Sequence, residues 1–294
     1  MGTPDYADNI LKRIIDEDWL EIVGVFTQPD KPVGRKKVIT PPPVKITAIQ
    51  NNLEVFQPEK LRNSIEDLRN LSPDFIIVAA YGQILSREIL DLAPSINLHT
   101  SILPKYRGAS PIQQALLNGD KRTGVTAMLM EEGLDSGDIL AISQIQVDFN
   151  WKLEELYLKL TDMAGDLILD VLNKFDEIKP ISQRGADATH CKKIEKNEGE
   201  VSFHNSYDIL KKFKAFSSWP SIYLNNGLKL IDLEIAENGN FQEGEILKIE
   251  KDSVLVGCKT GSIYLKKVQP KSKSEMSVLS YINGKRLKVG DLFL

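Results

Sequence analysis

Ser95-Ile96-Asn97-Leu98-His99-Thr100-Ser101-Ile102-Leu103-Pro104-Lys105-Tyr106-Arg107-Gly108 reads as a strand running into a polar loop, and a helix opens after it at Ala109-Ser110-Pro111-Ile112. Residues 95–99 alternate polar and apolar side chains, the period of a strand. Asn97 and His99 therefore point to one face. An amide and an imidazole side by side near a strand end stand where open α/β sheets bind ligands. Ser110 has the side chain of an N-cap, and Pro111 suits the first helical position. Strand, loop and helix N-terminus in this order predict a β/α alternation.

The flanking sequence repeats that alternation. Glu21 to Phe26, Leu53 to Phe56 and Pro73 to Ala80 read as strands, the last too uniformly apolar to face water. An amphipathic helix over about Asp5–Glu17 and helices over about Pro43–Asn51 and Ile65–Leu71 are interleaved with them. Downstream, Thr123–Met130 and Ile139–Val147 are strands around the turn Glu131-Glu132-Gly133-Leu134-Asp135-Ser136-Gly137-Asp138, and Leu153–Phe175 is a long amphipathic helix. The class expected is α/β: a Rossmann-like, mostly parallel sheet with helices on both faces. Gly2-Thr3-Pro4 reads as a strand-to-helix turn, and a doubly wound sheet normally places a central strand before such a turn. An apolar strand preceding Met1 is therefore expected, and without it the first domain lacks its first strand.

After residue 175 the character changes. Residues 179–196 are polar, without a periodic core face, and read as a linker. From 197 to 294, short strands separated by Gly and Asn-Gly signals follow a helix at Ile209–Phe216, and a small OB-like β-barrel fits them. Domains are thus expected at 1–178 and 197–294. The net charge of −4 is unevenly spread, and between Lys259 and Lys288 eight basic residues meet one acid. Lys31 to Lys45 carries five basic residues and no acid. Such clusters are either solvated surface or phosphate contacts.

Composition excludes several classes. No apolar run is long enough to span a bilayer and no leader precedes the first helix, so a cytoplasmic protein without membrane contact is expected. The two cysteines, Cys191 and Cys258, cannot frame a disulfide scaffold and lack metal-ligand spacing. No metal site is expected.

Taken singly, His99, Asn97 and Asp135 each have an ordinary structural explanation: a hydrogen-bonded core histidine, a cap, a turn-former. The run Asn97 to Gly108 together with Gly133-Leu134-Asp135-Ser136-Gly137-Asp138, however, resembles the folate-dependent formyltransferases, in particular those acting on an aminoacyl-tRNA. The resemblance implies that Asn97, His99 and Asp135 are catalytic. It implies that the segment Ser101, Ile102, Leu103 and Pro104 contacts the folate, with backbone at Tyr81 and Gly82 framing the pterin pocket. It makes 10-formyltetrahydrofolate the co-substrate and initiator methionyl-tRNA the acceptor, bound by a monomer. Arg35, Lys36 and Lys37 would enter the acceptor stem, and Lys266, Lys267 and Lys271 would contact the tRNA from the C-terminal domain. Related formyl-folate enzymes acting on a nucleotide or amino sugar share the Asn-His-Asp set. Two separated basic patches favour the tRNA acceptor over these, while a catalytically dead RNA-binding paralogue stays open, since it would bind tRNA without consuming 10-formyltetrahydrofolate.

Overall fold

The computed structural model describes residues 1–34 and 36–293. They form two compact units. One comprises residues 1–111, 122–146 and 157–191, and the other residues 112–121, 147–156 and everything from Lys192 onward.

The first unit begins with α1 (Asp5–Ile15), β1 (Val25–Phe26), a hairpin of β2 (Lys31–Val33) and β3 (Val38–Thr40), α2 (Pro43–Gln50), β4 (Val55–Phe56) and α3 (Ile65–Leu71). It continues through β5 (Ile76–Val78), α4 (Arg87–Leu90), β6 (Ser95–His99) and β7 (Arg107–Gly108). After helix α5 (Pro111–Asn118), which belongs almost wholly to the second unit, the first unit resumes with the long strands β8 (Arg122–Leu129) and β9 (Ile139–Gln146), most of α6 (Leu153–Asn173) and β10 (His190–Cys191). On α6, Leu160, Ala164, Ile168 and Val171 are buried, spacings of four, four and three that place them on one helix face. Tyr6 of α1 stacks at a tilt on Tyr157 of α6 and donates its hydroxyl to Leu98 O at 3.1 Å. Phe26, Leu61, Leu68, Ile76, Val78 and Ile89 make a continuous apolar cluster around β1 and β5.

The main sheet has the order β5-β6-β8-β9. Strand β5 runs parallel to β6 with Val78 opposite Asn97, but β6 pairs antiparallel with β8, and β8 with β9. The sheet is mixed, which corrects the mostly parallel expectation. For one of the two antiparallel pairs the connection is the cause: residues 130–138 between β8 and β9 are too few for a crossover, which needs a dozen or more residues, so these two strands must form a hairpin. Strands β1 and β4 are a separate parallel pair. Met1 and Gly2 lie between that pair and β5: Gly2 N donates to Phe26 O at 3.0 Å, and Ala79 N to Met1 O at 2.9 Å. A 470 Å³ cavity lined by Leu20, Val23, Val25, Ile77 and Leu172 adjoins them.

The second unit carries α7 (Ser206–Ala215), β11 (Lys229–Ile235), β12 (Ile246–Ile249), β13 (Val254–Gly257), β14 (Ser262–Gln269), β15 (Met276–Ser277) and α8 (Val278–Lys285). Its five strands form one antiparallel sheet in the order β11-β14-β13-β12, with β15 against β14. It does not close, and the OB-like barrel expected from the strand spacing is overturned. Closure requires the two edge strands to pair with each other. Here each edge is occupied by irregular chain instead. Ile246 N on β12 donates to Asp291 O at 2.9 Å, and Leu230 N on β11 donates to Ile222 O at 3.1 Å. The edges are covered rather than joined.

Candidate active site

Strand β6 holds Asn97 and His99 on one face, between Val78 on β5 and Met128 and Thr126 on β8. The turn of the β8–β9 hairpin folds back toward them and carries Asp135. Its Oδ1 accepts from Asn97 Nδ2 at 3.3 Å, and its Oδ2 accepts from Gly108 N at 2.8 Å. His99 Nδ1 lies 3.6 Å from the same Oδ2, just beyond hydrogen-bond length. The side chains of His99 and Asp135 are 7% and 14% exposed. A carboxylate so far from water requires donors, and the amide of Asn97 and the backbone of Gly108 supply two.

His99 is oriented by a different group. Its Nε2 lies 2.8 Å from Tyr106 O. A carbonyl only accepts, so Nε2 carries the proton, and Nδ1 is the atom left facing Asp135. Tyr106 O also receives Cys191 Sγ at 3.3 Å. Burial pushes that thiol's pKa up. Gly108 has φ +121°, and a Cβ there would stand 2.2 Å from Cys191 O. No side chain fits where β10 passes β7, and this close approach brings the Gly108 N–H to the carboxylate.

The loop after β6 is fixed internally. Ser101 is fully buried and donates Oγ to Lys105 O at 2.6 Å. Thr126 Oγ1 donates to Ser101 O at 2.7 Å and accepts from Leu103 N at 3.1 Å. Leu103 is buried, while Ile102 and Pro104 are partly exposed. At the end of β5, Tyr81 O accepts from Thr3 Oγ1 at 3.1 Å and Gln28 Nε2 at 3.2 Å. The Tyr81 side chain points inward, its hydroxyl pKa pushed up to about 12 by burial, and the neighbouring Gly82 is exposed with φ +81°.

The basic residues are distributed differently. Lys36 and Lys37 are exposed at the turn of the β2–β3 hairpin, and Arg35 lies outside the described residues. Lys45, counted in the same basic stretch, is bonded to Asp30 at 2.8 Å. In the second unit Lys267 and Lys271 are exposed, whereas Lys266 is paired with Glu234 at 2.5 Å. Among the described residues no cluster of three or more His, Cys, Asp or Glu side chains could hold a metal ion, and no helix is long and apolar enough to cross a membrane.

Thr126, Thr189 and Gln183 touch this site and are not evident from the sequence. Thr126 had a signal: it is polar within the otherwise apolar run Val125-Thr126-Ala127-Met128. Thr189 and Gln183 sit in the aperiodic polar stretch read as a linker, and nothing local distinguishes them. Yet Tyr106 N donates to Thr189 Oγ1 at 2.9 Å, and β10 pairs in parallel with β7.

An amide, an imidazole and a carboxylate are gathered over one strand of a mixed sheet. Residues 1–172 match the family model described as formyl transferase, and residues 193–286 match the formyl transferase C-terminal domain. The chain is 54% identical over 294 residues to the methionyl-tRNA formyltransferase of Sulfurimonas denitrificans, covering 99% of this chain and 97% of that protein. It is also 54% identical over 298 residues to the enzyme of the same name from Nitratiruptor sp., covering 100% and 98%. Among solved structures, an N-formyltransferase from Helicobacter canadensis, crystallised with folinic acid and dTDP-3-aminofucose, superposes with a TM-score of 0.68 at 18% identity. That match covers 90% of this chain and 97% of the other, and it establishes the fold alone. The chain belongs to the methionyl-tRNA formyltransferases.

Proposed function

We propose that this protein transfers the formyl group of 10-formyltetrahydrofolate to the α-amino group of methionine esterified to initiator tRNA. The observation carrying this reading is the 54% identity maintained from end to end of the chain. In the transfer the free amine attacks the formyl carbon. The bond from that carbon to N10 of the folate then breaks, and N10 takes up the proton the amine loses.

The side chains around Asp135 suit these steps. Asn97 keeps amide N–H capacity beyond its single bond to Asp135 and donates to the formyl oxygen as negative charge develops there; losing such a donor slows turnover by roughly 10² to 10³. His99 Nδ1 and Asp135 Oδ2, 3.6 Å apart, receive the amine proton and return it to the leaving nitrogen. Asp135 also holds Asn97 in place. The Ser101–Pro104 loop and the backbone at Tyr81 and Gly82 line the folate. Because the hydroxyl of Ser101 is committed to Lys105 O, the loop meets the folate through its backbone and the partly exposed Ile102 and Pro104.

The acceptor is held by charge. Lys36 and Lys37, with Arg35, reach its stem, and Lys267 and Lys271 meet its backbone. Lys266 joins them only by exchanging its partner Glu234. The protein acts as a monomer in this reading, and the acceptor's place in translation is cytoplasmic. The deciding assay gives the purified protein 10-formyltetrahydrofolate and either charged initiator tRNA or a dTDP-amino sugar. Formylation of the tRNA alone is expected. Formylation of the sugar, or no folate turnover with tRNA bound, would overturn the reading.

A further inference from the structure

Asp135 sits in a backbone conformation that side chains seldom adopt, with φ +48°. Most side chains pay roughly 1–2 kcal/mol there; aspartate tolerates the region better, and here its turn is also held by a neighbouring side chain. The holder is Gln183. Its Nε2 donates to Asp135 O at 3.0 Å and to Gly137 O at 2.7 Å. Its Oε1 accepts from Arg107 Nε at 3.0 Å and Nη2 at 2.7 Å. The orientation of the amide follows from its partners, since a guanidinium only donates and carbonyls only accept. Gly137 is the one residue type that fits beside it: a Cβ there would stand 1.9 Å from Leu129 O.

These bonds close a ring. Arg107 precedes Gly108, whose N–H holds Asp135 Oδ2 at 2.8 Å. Gln183 thus ties the backbone of Asp135 to the residue next to the one that grips its carboxylate. Main chain and side chain of Asp135 are fixed against the same two-residue strand, β7. That strand is anchored in turn, because Arg107 N donates to Thr189 O at 2.8 Å and Ala109 N to Cys191 O at 3.1 Å.

We infer that Gln183, with Arg107, is a positioning residue for formyl transfer, setting the Asp135 carboxylate against Asn97 and His99 without touching substrate. The inference rests on the proposed catalytic reading of Asp135. Only an amide supplies both halves of this clamp at this length. Leucine offers neither, and glutamate keeps the acceptor for Arg107 but turns an oxygen toward two carbonyls. Misplacing a reacting group by about an ångström costs on the order of 10²-fold in rate.

The test is single-turnover formylation of charged initiator tRNA by Gln183→Leu, Gln183→Glu and Asp135→Asn, with both substrates saturating. The inference expects the rate constant of both Gln183 variants to fall at least about tenfold, with KM for each substrate within about twofold and burst amplitude preserved. A loss confined to amplitude would report fewer folded molecules and would overturn it, as would a Gln183→Glu rate constant within twofold of the parent. If that occurs while Asp135→Asn is inactive, the clamp alone is wrong. If Asp135→Asn is also fully active, the catalytic reading beneath it fails as well.

Discussion

Asp135 and the lysines between Lys259 and Lys288 are both charged groups that the proposed function sets against a substrate, and the fold treats them in opposite ways. Asp135 is 14% exposed, bonded through its carboxylate to Asn97 and Gly108, and fixed through its carbonyl to Gln183. Lys267 is exposed on strand β14 of an open antiparallel sheet, and Lys271 is exposed in the turn after that strand. A carboxylate held by donors in a poorly solvated place keeps its geometry before substrate arrives, so each contact bears on rate. Exposed ammonium groups act through a screened field, so each bears on affinity, weakly and in proportion to number.

The strongest way to break that contrast is at Asp135 and His99. His99→Ala or Asp135→Ala is expected to lower turnover by about 10³ or more while tRNA affinity stays within about twofold, and Asn97→Ala by roughly 10² to 10³. Steady-state formylation alongside filter binding checks this; a matching loss of affinity would erase the distinction between the two regions. Next is the buried threonine under the 101–104 loop proposed to line the folate. Thr126→Val preserves shape but strands Ser101 O and Leu103 N, so about 1–3 kcal/mol of stability should vanish in urea unfolding.

The lysines come lower. Lys267→Ala and Lys271→Ala should each reduce the slope of log Kd against log salt by roughly 1 and leave saturated turnover unchanged. Lys266→Ala removes a cation already paired with Glu234, so its effect on that slope should be smaller still. Equal effects from all three would mean that the pairing does not matter. The smallest signal is chemical. Burial pushes the Cys258 thiol up to about 12, so at pH 8 only about one part in 10⁴ is thiolate. Mass spectrometry should find it alkylated only after denaturation.

What the sequence reveals divides along the same line. The strand at 95–99 and the helix at 5–15 announce themselves by periodicity, and Asn97 and His99 share a face because the strand period places them there. Asp135 is legible only through motif resemblance, since its approach depends on a hairpin turn folding back. Strand direction is not a local property. Residues 122–129 look the same whether β8 runs parallel or antiparallel to β6, and the short connection to β9 fixes only how β9 runs against β8. The barrel expectation failed for a related reason: short strands with tight turns describe an open sheet equally well. What keeps this one open is chain at 222 and 291 lying along its edges, contacts no strand pattern predicts. Gln183 was hidden because its stretch has no apolar period, and its importance comes entirely from partners Arg107, Asp135 and Gly137 at distant positions.

The most direct test of a preassembled trio is a double-variant cycle at His99 and Asp135, read as the rate constant for formylating charged initiator tRNA at saturation. Groups that handle one proton as a unit should not lose independently, so the pair His99→Ala with Asp135→Ala should be about as slow as the worse single variant. Losses that multiply, or a single variant near the parental rate, would contradict the account.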